Sequence, residues 1–225
     1  MPQIEFEVNG KTRSVDIDTL VIAGWTGRDA AAVEHHIAEL EALGVKRPRA
    51  IPCFYRVGAN LLTTAGDIAV SGADSSGEVE FVLVSLPEGL CVGVGSDHTD
   101  RQVETYRVTV SKQMCPKPIG RTLWAMAGLE SRWDELRLRS WVTRDGRREL
   151  YQDGSVARMR EPRDLITRYL GHDGPLPVGT AMFCGTLAAI GPISGGESFE
   201  IELADPTAEG TLRHAYNVRI LEAAD

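Results

Sequence analysis

Short alternating runs of apolar and polar residues dominate the chain, and they predict β-strands. In the opening segment IEFEVNGKTRSVDI, apolar positions alternate on both sides of Asn9-Gly10. Both residues of this pair tolerate the positive φ that a tight hairpin turn requires, so the segment predicts a β-hairpin. The apolar run from Leu20 to Gly24 that follows predicts a short strand.

Two segments have helical rather than strand periodicity. From Asp29 to Leu43, Ala, Val, Ile and Leu recur at helical spacing, and the pattern ends at Gly44. This predicts the clearest helix of the chain. A second helix is predicted from Arg163 to Tyr169.

Most of the remaining chain consists of β-branched runs separated by Gly, Asp and Pro. EVEFVLV and LCVGVGSD flank the turn SLPEG, and LRLRSWV and RRELYQ flank Asp145-Gly146, so each pair predicts a hairpin. We therefore expect a mainly β (α+β) fold, a curled sheet or roll with two or three short helices, rather than a doubly wound fold. We expect residues 1–225 to form a single domain in which the N-terminal hairpin and helix, about residues 1–45, are an integral part.

Composition and charge exclude several classes of protein. The 43% hydrophobic and 25% charged content is typical of a soluble globular protein, and no apolar run is long enough to span a membrane. The start, MPQIEFEVNG, does not resemble a signal peptide, and the four cysteines are widely spaced, so we expect reduced thiols and a cytoplasmic location. The net charge of −8, with no Lys/Arg cluster, disfavours nucleic-acid binding.

A pair of carboxylates is the first candidate for chemistry. Glu78 and Glu80 are two residues apart on a predicted strand and therefore project from one face. Two like charges side by side repel unless a cation lies between them; the alternative is a solvated outer strand face. The following hairpin can return Asp97 to the same place as a third carboxylate. Three hard oxygens suit Mg²⁺ or Mn²⁺, whereas zinc prefers His or Cys.

These segments resemble the fumarylacetoacetate and acylpyruvate hydrolases. GEVEFVLV resembles that family's strand with a Glu-x-Glu metal pair, and GSDHTDRQVE resembles the stretch whose first Asp completes the metal triad. SKQMCPKPIG is similar to the family's Lys-Ser-Phe-Asp-Thr-Phe-x-Pro-Ile-Gly, and three further blocks agree in order: FYRVGANLLTTAGDI, VTRDGRRELYQDGS and VGTAMFCGTLAAIGPI. The sequence as a whole most closely resembles a divergent branch of this family, which has the label DUF2848.

The resemblance implies a mixed β-sandwich roll and an Mg²⁺- or Mn²⁺-dependent enzyme that cleaves a carbon–carbon bond in an acylpyruvate or related 2,4-dioxo acid. Related branches act as hydratases, decarboxylases or tautomerases of 2-oxo acids, and a non-catalytic small-molecule binding protein is a further alternative. The relatives are commonly dimers, so a homodimer is expected. The implied ligands and contacts are Glu78, Glu80 and Asp97 for the metal, Lys112 for catalysis, and Tyr55, Arg56, Arg101 and Thr186 for the substrate.

Hydrolases of this family carry a His-x-x-Glu on a short helix, where the pair deprotonates the attacking water. His36 and Glu39 have this form on the predicted helix, since residues three apart share a face, and the resemblance implies that they are catalytic. They lie later than an ungapped match would place them, where Ala30 or Val33 stands, and His35 is an equally placed alternative. These polar residues also fit the solvated face of an amphipathic helix.

Four other polar residues have a simpler interpretation beside the functional one. His98 is either an additional base next to the metal or a packed aromatic side chain. Lys112, without the resemblance, would be taken for a surface lysine. Glu200 and Glu202 form a second Glu-x-Glu with no acidic partner strand, and we expect an exposed strand face there.

Overall fold

The computed structural model describes residues 3–42, 47–48 and 50–222, and the side chains at positions 36, 39, 40 and 42 also lie outside the description. In chain order the strands are β1 (Gln3–Val8), β2 (Lys11–Asp16), β3 (Thr19–Gly24), β4 (Cys53–Val57), β5 (Leu62–Thr63), β6 (Asp67–Ser71), β7 (Ser75–Ser76), β8 (Val79–Leu86), β9 (Gly89–Ser96), β10 (Thr99–Asp100), β11 (Lys117–Pro118), β12 (Thr122–Ala125), β13 (Arg137–Arg144), β14 (Arg147–Ser155), β15 (Thr180–Thr186), β16 (Ser198–Asp205) and β17 (Gly210–Leu221). The α-helices are α1 (Ala30–Ala42), α2 (Arg101–Tyr106), α3 (Val108–Met114) and α4 (Pro162–Leu170). Three short 3₁₀ helices cover Ala59–Leu61, Glu130–Glu135 and Val156–Arg158.

Two mixed sheets make up most of the fold, as the mainly β prediction expects. The larger has eight strands in the order β2-β1-β12-β9-β8-β15-β3-β4, and the second has five in the order β14-β13-β16-β17-β6. Strands β13, β16 and β17 of the second sheet pack against the β8–β9 hairpin at the centre of the first. Two two-stranded ladders, β10-β7 and β11-β5, lie outside these sheets.

Strand β8 contributes to a hydrophobic core on each of its faces. Phe81 and Leu83 belong to the core between the sheets, together with Leu203 of β16. Val82 and Val84 belong to a second core on the opposite side of the larger sheet. This division follows from the two-residue period of an extended chain. All eight residues of β8 are buried, which fixes the position of the strand that carries Glu80.

The predicted hairpins form, and their turn residues explain why. Asn9 and Gly10 have φ of 51° and 71°, and Asp145 and Gly146 have φ of 49° and 69°. These are the positive angles that two-residue hairpin turns require. The β8–β9 hairpin also forms, with Leu86 paired to Gly89.

The helices agree with the sequence in part. Helix α1 begins where predicted, with Asp29 Oδ1 accepting from the N–H of Ala31 at 2.9 Å, and α4 is also present. The predicted end of the first helix at Leu43 and Gly44 lies outside the described residues. Helices α2 and α3 were not predicted, so the described chain has four α-helices rather than two or three. None of the described helices is both long enough and apolar enough to cross a membrane.

The expectation of an exposed face at the second Glu-x-Glu is wrong for one residue. The side chain of Glu200 is 43% exposed and pairs with Arg148, but that of Glu202 is 1% exposed. Glu202 is opposite Arg139 on β13 and Arg213 on β17, and both guanidinium groups lie against its carboxylate. Cross-strand ion pairs therefore cover this carboxylate.

Candidate metal centre

Three carboxylates meet where the β8–β9 hairpin ends. Glu78 directly precedes β8 and Asp97 directly follows β9, and the N–H of Asp97 donates to the carbonyl of Glu78 at 3.0 Å. One oxygen of each of Glu78, Glu80 and Asp97 lies within 4.8 Å of the other two. Glu80 and Asp97 are buried, whereas the side chain of Glu78 is 19% exposed, so the group is open on the Glu78 side.

A bulge in the neighbouring strand β15 holds Glu80. The register between β15 and β8 shifts between Phe183 and Thr186, and the N–H of Gly185 donates to Glu80 Oε2 at 2.7 Å. Gly185 has φ of +98°, and a Cβ atom there would lie 1.7 Å from Thr26 Oγ1. Only glycine fits this position. The bulge there directs the N–H of Gly185 at the carboxylate of Glu80.

Two lysines contact Asp97, one on each oxygen. Lys112 on α3 makes a short contact through Nζ with Asp97 Oδ2 and lies 3.7 Å from Glu78 Oε2. Lys117 on β11 lies with its Nζ 3.0 Å from Asp97 Oδ1, and it also donates to the carbonyl of His98. Lys112 was predicted from the sequence but Lys117 was not, although both lie in the segment SKQMCPKPIG.

Arg101, at the start of α2, completes the charged group. It lies 3.2 Å from Glu78 Oε1 and 2.9 Å from Glu104 Oε2, and its Nε donates to Ser76 Oγ at 2.7 Å. Burial disfavours its charge, but Glu78 and Glu104 outweigh burial and raise the pKa of Arg101. Glu104 was not identified from the sequence, because its pairing with Arg101 depends on the short helix α2, which the pattern did not predict.

The carboxylates and the lysine differ in their protonation. Burial, reinforced by the neighbouring Asp97 and Glu78, raises the pKa of Glu80 well above its usual range. Burial also disfavours the charged form of Asp97, but Lys112 and Lys117 outweigh it and lower the pKa of Asp97. The same attraction to Asp97 and Glu78 outweighs the burial of Lys112 and raises its pKa. An Asp97 carboxylate and a Lys112 ammonium therefore face each other at neutral pH.

The group fits a hard divalent cation. All three donors are carboxylate oxygens, the ligands that Mg²⁺ and Mn²⁺ prefer. Asp97 Oδ1 is buried and accepts no aligned hydrogen bond from the described residues, because Lys117 reaches it only as an ion pair. A cation would also remove the repulsion that raises the pKa of Glu80.

The predicted substrate-binding residues Tyr55, Arg56 and Thr186 differ in their exposure to solvent. Tyr55 on β4 is half-buried; burial, and then Cys53, raise the pKa of Tyr55 to about 12, against the opposing charge of Lys112. Arg56, the next residue on β4, is exposed. Thr186 donates its hydroxyl to the carbonyl of Val79 at 2.7 Å and accepts from Gln152 Nε2 at 2.8 Å.

The predicted bases have different outcomes. His36 and Glu39 lie on α1, but their side chains are outside the described residues, so their role stays a prediction. His98 is buried, with Nδ1 3.1 Å from the Tyr216 hydroxyl and Nε2 3.0 Å from Ser75 Oγ. Burial, and then Lys117 and Arg101, lower the pKa of His98 to about 3. His98 is thus a neutral packed side chain rather than an additional base.

Solved structures share this fold. A protein from Oleispira antarctica described as a fumarylacetoacetate isomerase/hydrolase aligns with a TM-score of 0.68 at 18% identity, covering 96% of this chain and 99% of that chain. A Burkholderia cenocepacia protein described as a fumarylpyruvate hydrolase aligns with a TM-score of 0.64 at 18% identity, covering 98% and 96%. The 2-hydroxyhepta-2,4-diene-1,7-dioate isomerase of Mycobacterium marinum aligns with a TM-score of 0.63 at 15% identity, covering 95% and 79%. These likenesses confirm the predicted fold.

The sequence itself supports the same relationship. No curated protein matches it significantly. It does match the family described as "Protein of unknown function (DUF2848)" over residues 23–216, which is most of the chain. The chain therefore belongs to the DUF2848 family, as the resemblance indicated, and it has the fold of the fumarylacetoacetate hydrolase superfamily.

Proposed function

We propose that this protein is a divalent-metal-dependent enzyme that cleaves a carbon–carbon bond in an acylpyruvate or related 2,4-dioxo acid. One observation carries the proposal: the oxygens of Glu78, Glu80 and Asp97 lie within 4.8 Å of one another on a fold shared with fumarylacetoacetate hydrolases. Lys112 places an ammonium group at the edge of the same cluster. A hard cation and a fixed positive charge together suit a substrate that becomes an enolate.

Glu78, Glu80 and Asp97 would hold Mg²⁺ or Mn²⁺. When bound, such a cation polarises the 2-oxo group and orients the substrate carboxylate. Because Glu78 is the most exposed of the three carboxylates, the substrate would approach from its side.

The chain's own side chains supply the remaining steps. Lys112 stays protonated and stabilises the negative charge that develops when the bond breaks. Arg101 fixes the orientation of Glu78 through their ion pair. In this proposal His36 removes a proton from the attacking water, and Glu39 orients the imidazole ring. Tyr55, Arg56 and Thr186 would line the substrate pocket.

The test combines metal binding with turnover in one variant. Protein freed of metal and reloaded with Mn²⁺ should cleave members of a panel of acylpyruvates. The decrease in the absorbance of their enol form measures this cleavage. Glu80→Gln keeps the shape but removes a ligand charge, so we expect Mn²⁺ affinity and turnover to fall together, turnover by about 10²-fold or more.

Glu200→Gln is the matched control. It changes the same residue type on another strand, where the side chain is 43% exposed and pairs with Arg148. We expect it to retain metal binding and turnover. Unchanged affinity and turnover in Glu80→Gln would contradict the site assignment.

A second candidate is a hydratase, decarboxylase or tautomerase of 2-oxo acids that uses the same site. It is favoured by the state of His98, whose ring nitrogens are both engaged, so that hydrolysis depends on a base from α1. His36→Ala should abolish bond cleavage if the enzyme is a hydrolase. Conversion of a 2-oxo acid without cleavage products, unaffected by His36→Ala, would support the second candidate. Binding of Mn²⁺ and oxalate without turnover would instead indicate a non-catalytic binding protein.

A further inference from the structure

Asp97 carries an unusual load of positive charge for a metal ligand. The Nζ atoms of Lys112 and Lys117 contact its two oxygens separately. The ammonium group of Lys112 also lies 3.7 Å from Glu78 Oε2, so it sits against two of the three carboxylates of the candidate centre.

The two lysines differ in their freedom to move. Lys117 is fully buried, lies on β11 opposite Leu62 of β5, and is held by the carbonyl of His98. Lys112 stands in the last turn of α3 with its side chain 8% exposed. A further acceptor is in its reach, because its Nζ lies 4.0 Å from Glu104 Oε1. Lys112 can therefore leave Asp97 for another carboxylate within its reach, whereas the carbonyl of His98 holds Lys117 in place.

A cation bound by Glu78, Glu80 and Asp97 would lie beside the ammonium group of Lys112. Two positive groups that share one buried carboxylate repel each other strongly. We propose that Lys112 and the divalent cation compete for Asp97, and that cation binding displaces Lys112 from Asp97 towards Glu104 while Lys117 stays in place. The inference depends on the metal centre of the proposed function.

This competition would give Lys112 two successive tasks. Without a cation, its ammonium group neutralises the buried carboxylate of Asp97. With a cation, the same group is released beside Glu104, whose side chain is 30% exposed, where an anionic substrate can meet it. Metal would then have to bind before substrate.

The test uses Mn²⁺ affinity, measured by titration calorimetry on the wild type, Lys112→Met and Lys112→Arg, and needs no turnover. Met keeps the length of the side chain without its charge, so Lys112→Met should bind Mn²⁺ about tenfold more tightly than the wild type. Arg keeps the charge, so Lys112→Arg should bind no more tightly than the wild type. A lysine with only a structural role predicts the opposite sign, because its loss would disorder Asp97 and weaken binding.

Crystal structures of the wild type with and without Mn²⁺ give a second measurement that does not require a folded variant. We expect Lys112 Nζ to contact Asp97 only in the metal-free crystal. A Mn²⁺-bound crystal with that contact intact, or a folded Lys112→Met protein with equal or weaker affinity, would overturn the competition and leave the metal centre standing. If neither wild type nor Lys112→Met binds Mn²⁺, both proposals fail.

Discussion

At the scale of single residues, Gly185 has the most demanding position near the site. Its φ of +98° and its contact with Thr26 leave no room for a Cβ atom. We expect Gly185→Ala to lower the free energy of unfolding by about 2–4 kcal/mol and to weaken Mn²⁺ binding, because the N–H that holds Glu80 must move. Chemical denaturation and calorimetry measure the two effects.

Gly191→Ala separates backbone strain from the steric contact. Gly191 also has a positive φ, of +82°, but a Cβ there would meet nothing within 4 Å. Gly191→Ala should lower the free energy of unfolding by only about 1 kcal/mol and leave the Mn²⁺ affinity unchanged. Equal losses in the two variants would show that the contact with Thr26 is unimportant.

Asp205 links stability to pH. Its Oδ1 accepts from the hydroxyl of Thr207 at 2.7 Å and from the N–H groups of Thr207 and Ala208 at 3.0 Å and 3.2 Å, and its Oδ2 lies 2.6 Å from Arg132 Nε. Burial alone would raise its pKa, but these hydrogen bonds outweigh burial and lower the pKa of Asp205 to about 2. The folded pKa is therefore below the unfolded value of about 3.9. The stabilisation is complete above that value and is lost as the pH falls towards about 2.

Asp205→Asn should therefore lower the free energy of unfolding at pH 7 by about 1–2 kcal/mol. Urea denaturation at several pH values should show the difference from wild type shrinking as the solution is acidified. A difference that stays constant with pH would mean that the charge of Asp205 does not matter.

The proximity of the three carboxylates could be predicted because local geometry determines it. The alternation of a strand placed Glu78 and Glu80 on one face, and a hairpin returned Asp97 to them. Lys117 was not predicted, because a lysine is rarely buried and the pairing of β11 with β5 joins distant segments. Tertiary contacts, and not the local sequence pattern, place the ammonium group of Lys117 beside Asp97.

At the scale of elements, α2 depends on the residue that precedes it. Asp100 caps this helix, its side chain accepting from the N–H of Val103 at 2.8 Å, and the helix carries Arg101 and Glu104 to the site. Asp100→Ala should lower the free energy of unfolding by about 1 kcal/mol, because the helix loses its cap. It should also weaken Mn²⁺ binding slightly, because Arg101 loses its fixed position. Thermal denaturation and calorimetry measure these effects.

Asp100→Asn is the matched variant, since Asn also caps helices well. It should retain most of the stability and affinity. If the Ala and Asn variants behave alike, the cap does not position the site.

The elements found from the sequence are those with strong local signals. Hairpins with Asn-Gly or Asp-Gly turns are present at β1–β2 and β13–β14, and α1 begins after its capping Asp29. Helices α2 and α3 have only six and seven residues, and both contain Val and Thr, so their periodicity is too weak to detect. Two-residue strands such as β7 and β10 leave no pattern at all.

At the scale of the whole molecule, bound metal should stabilise the fold. A ligand that binds only the folded state adds about 2.7 kcal/mol at one hundred times its Kd. Mn²⁺ at that concentration should therefore raise the Tm of the wild type, and Glu80→Gln should lose the increase. An equal increase in both would place the ion at another site.

The fold class followed from the pattern, but the order of strands did not. Parallel pairs such as β1–β12, β15–β3 and β17–β6 join segments far apart in the chain. Pairing of this kind depends on contacts between distant segments, which no local stretch of sequence contains. The homodimer remains a prediction that sedimentation can test.

The central position of β8 has a consequence for how the site can diversify. Because both sides of this strand are covered, a substitution there must preserve volume in one core or the other. In the proposed enzyme the carboxylates thus stand on a rigid strand, and new substrate preferences would have to arise from the neighbouring β4 and the α2–α3 segment. If the proposed function is correct, the same scaffold could accept different small acids while its three carboxylates keep their positions.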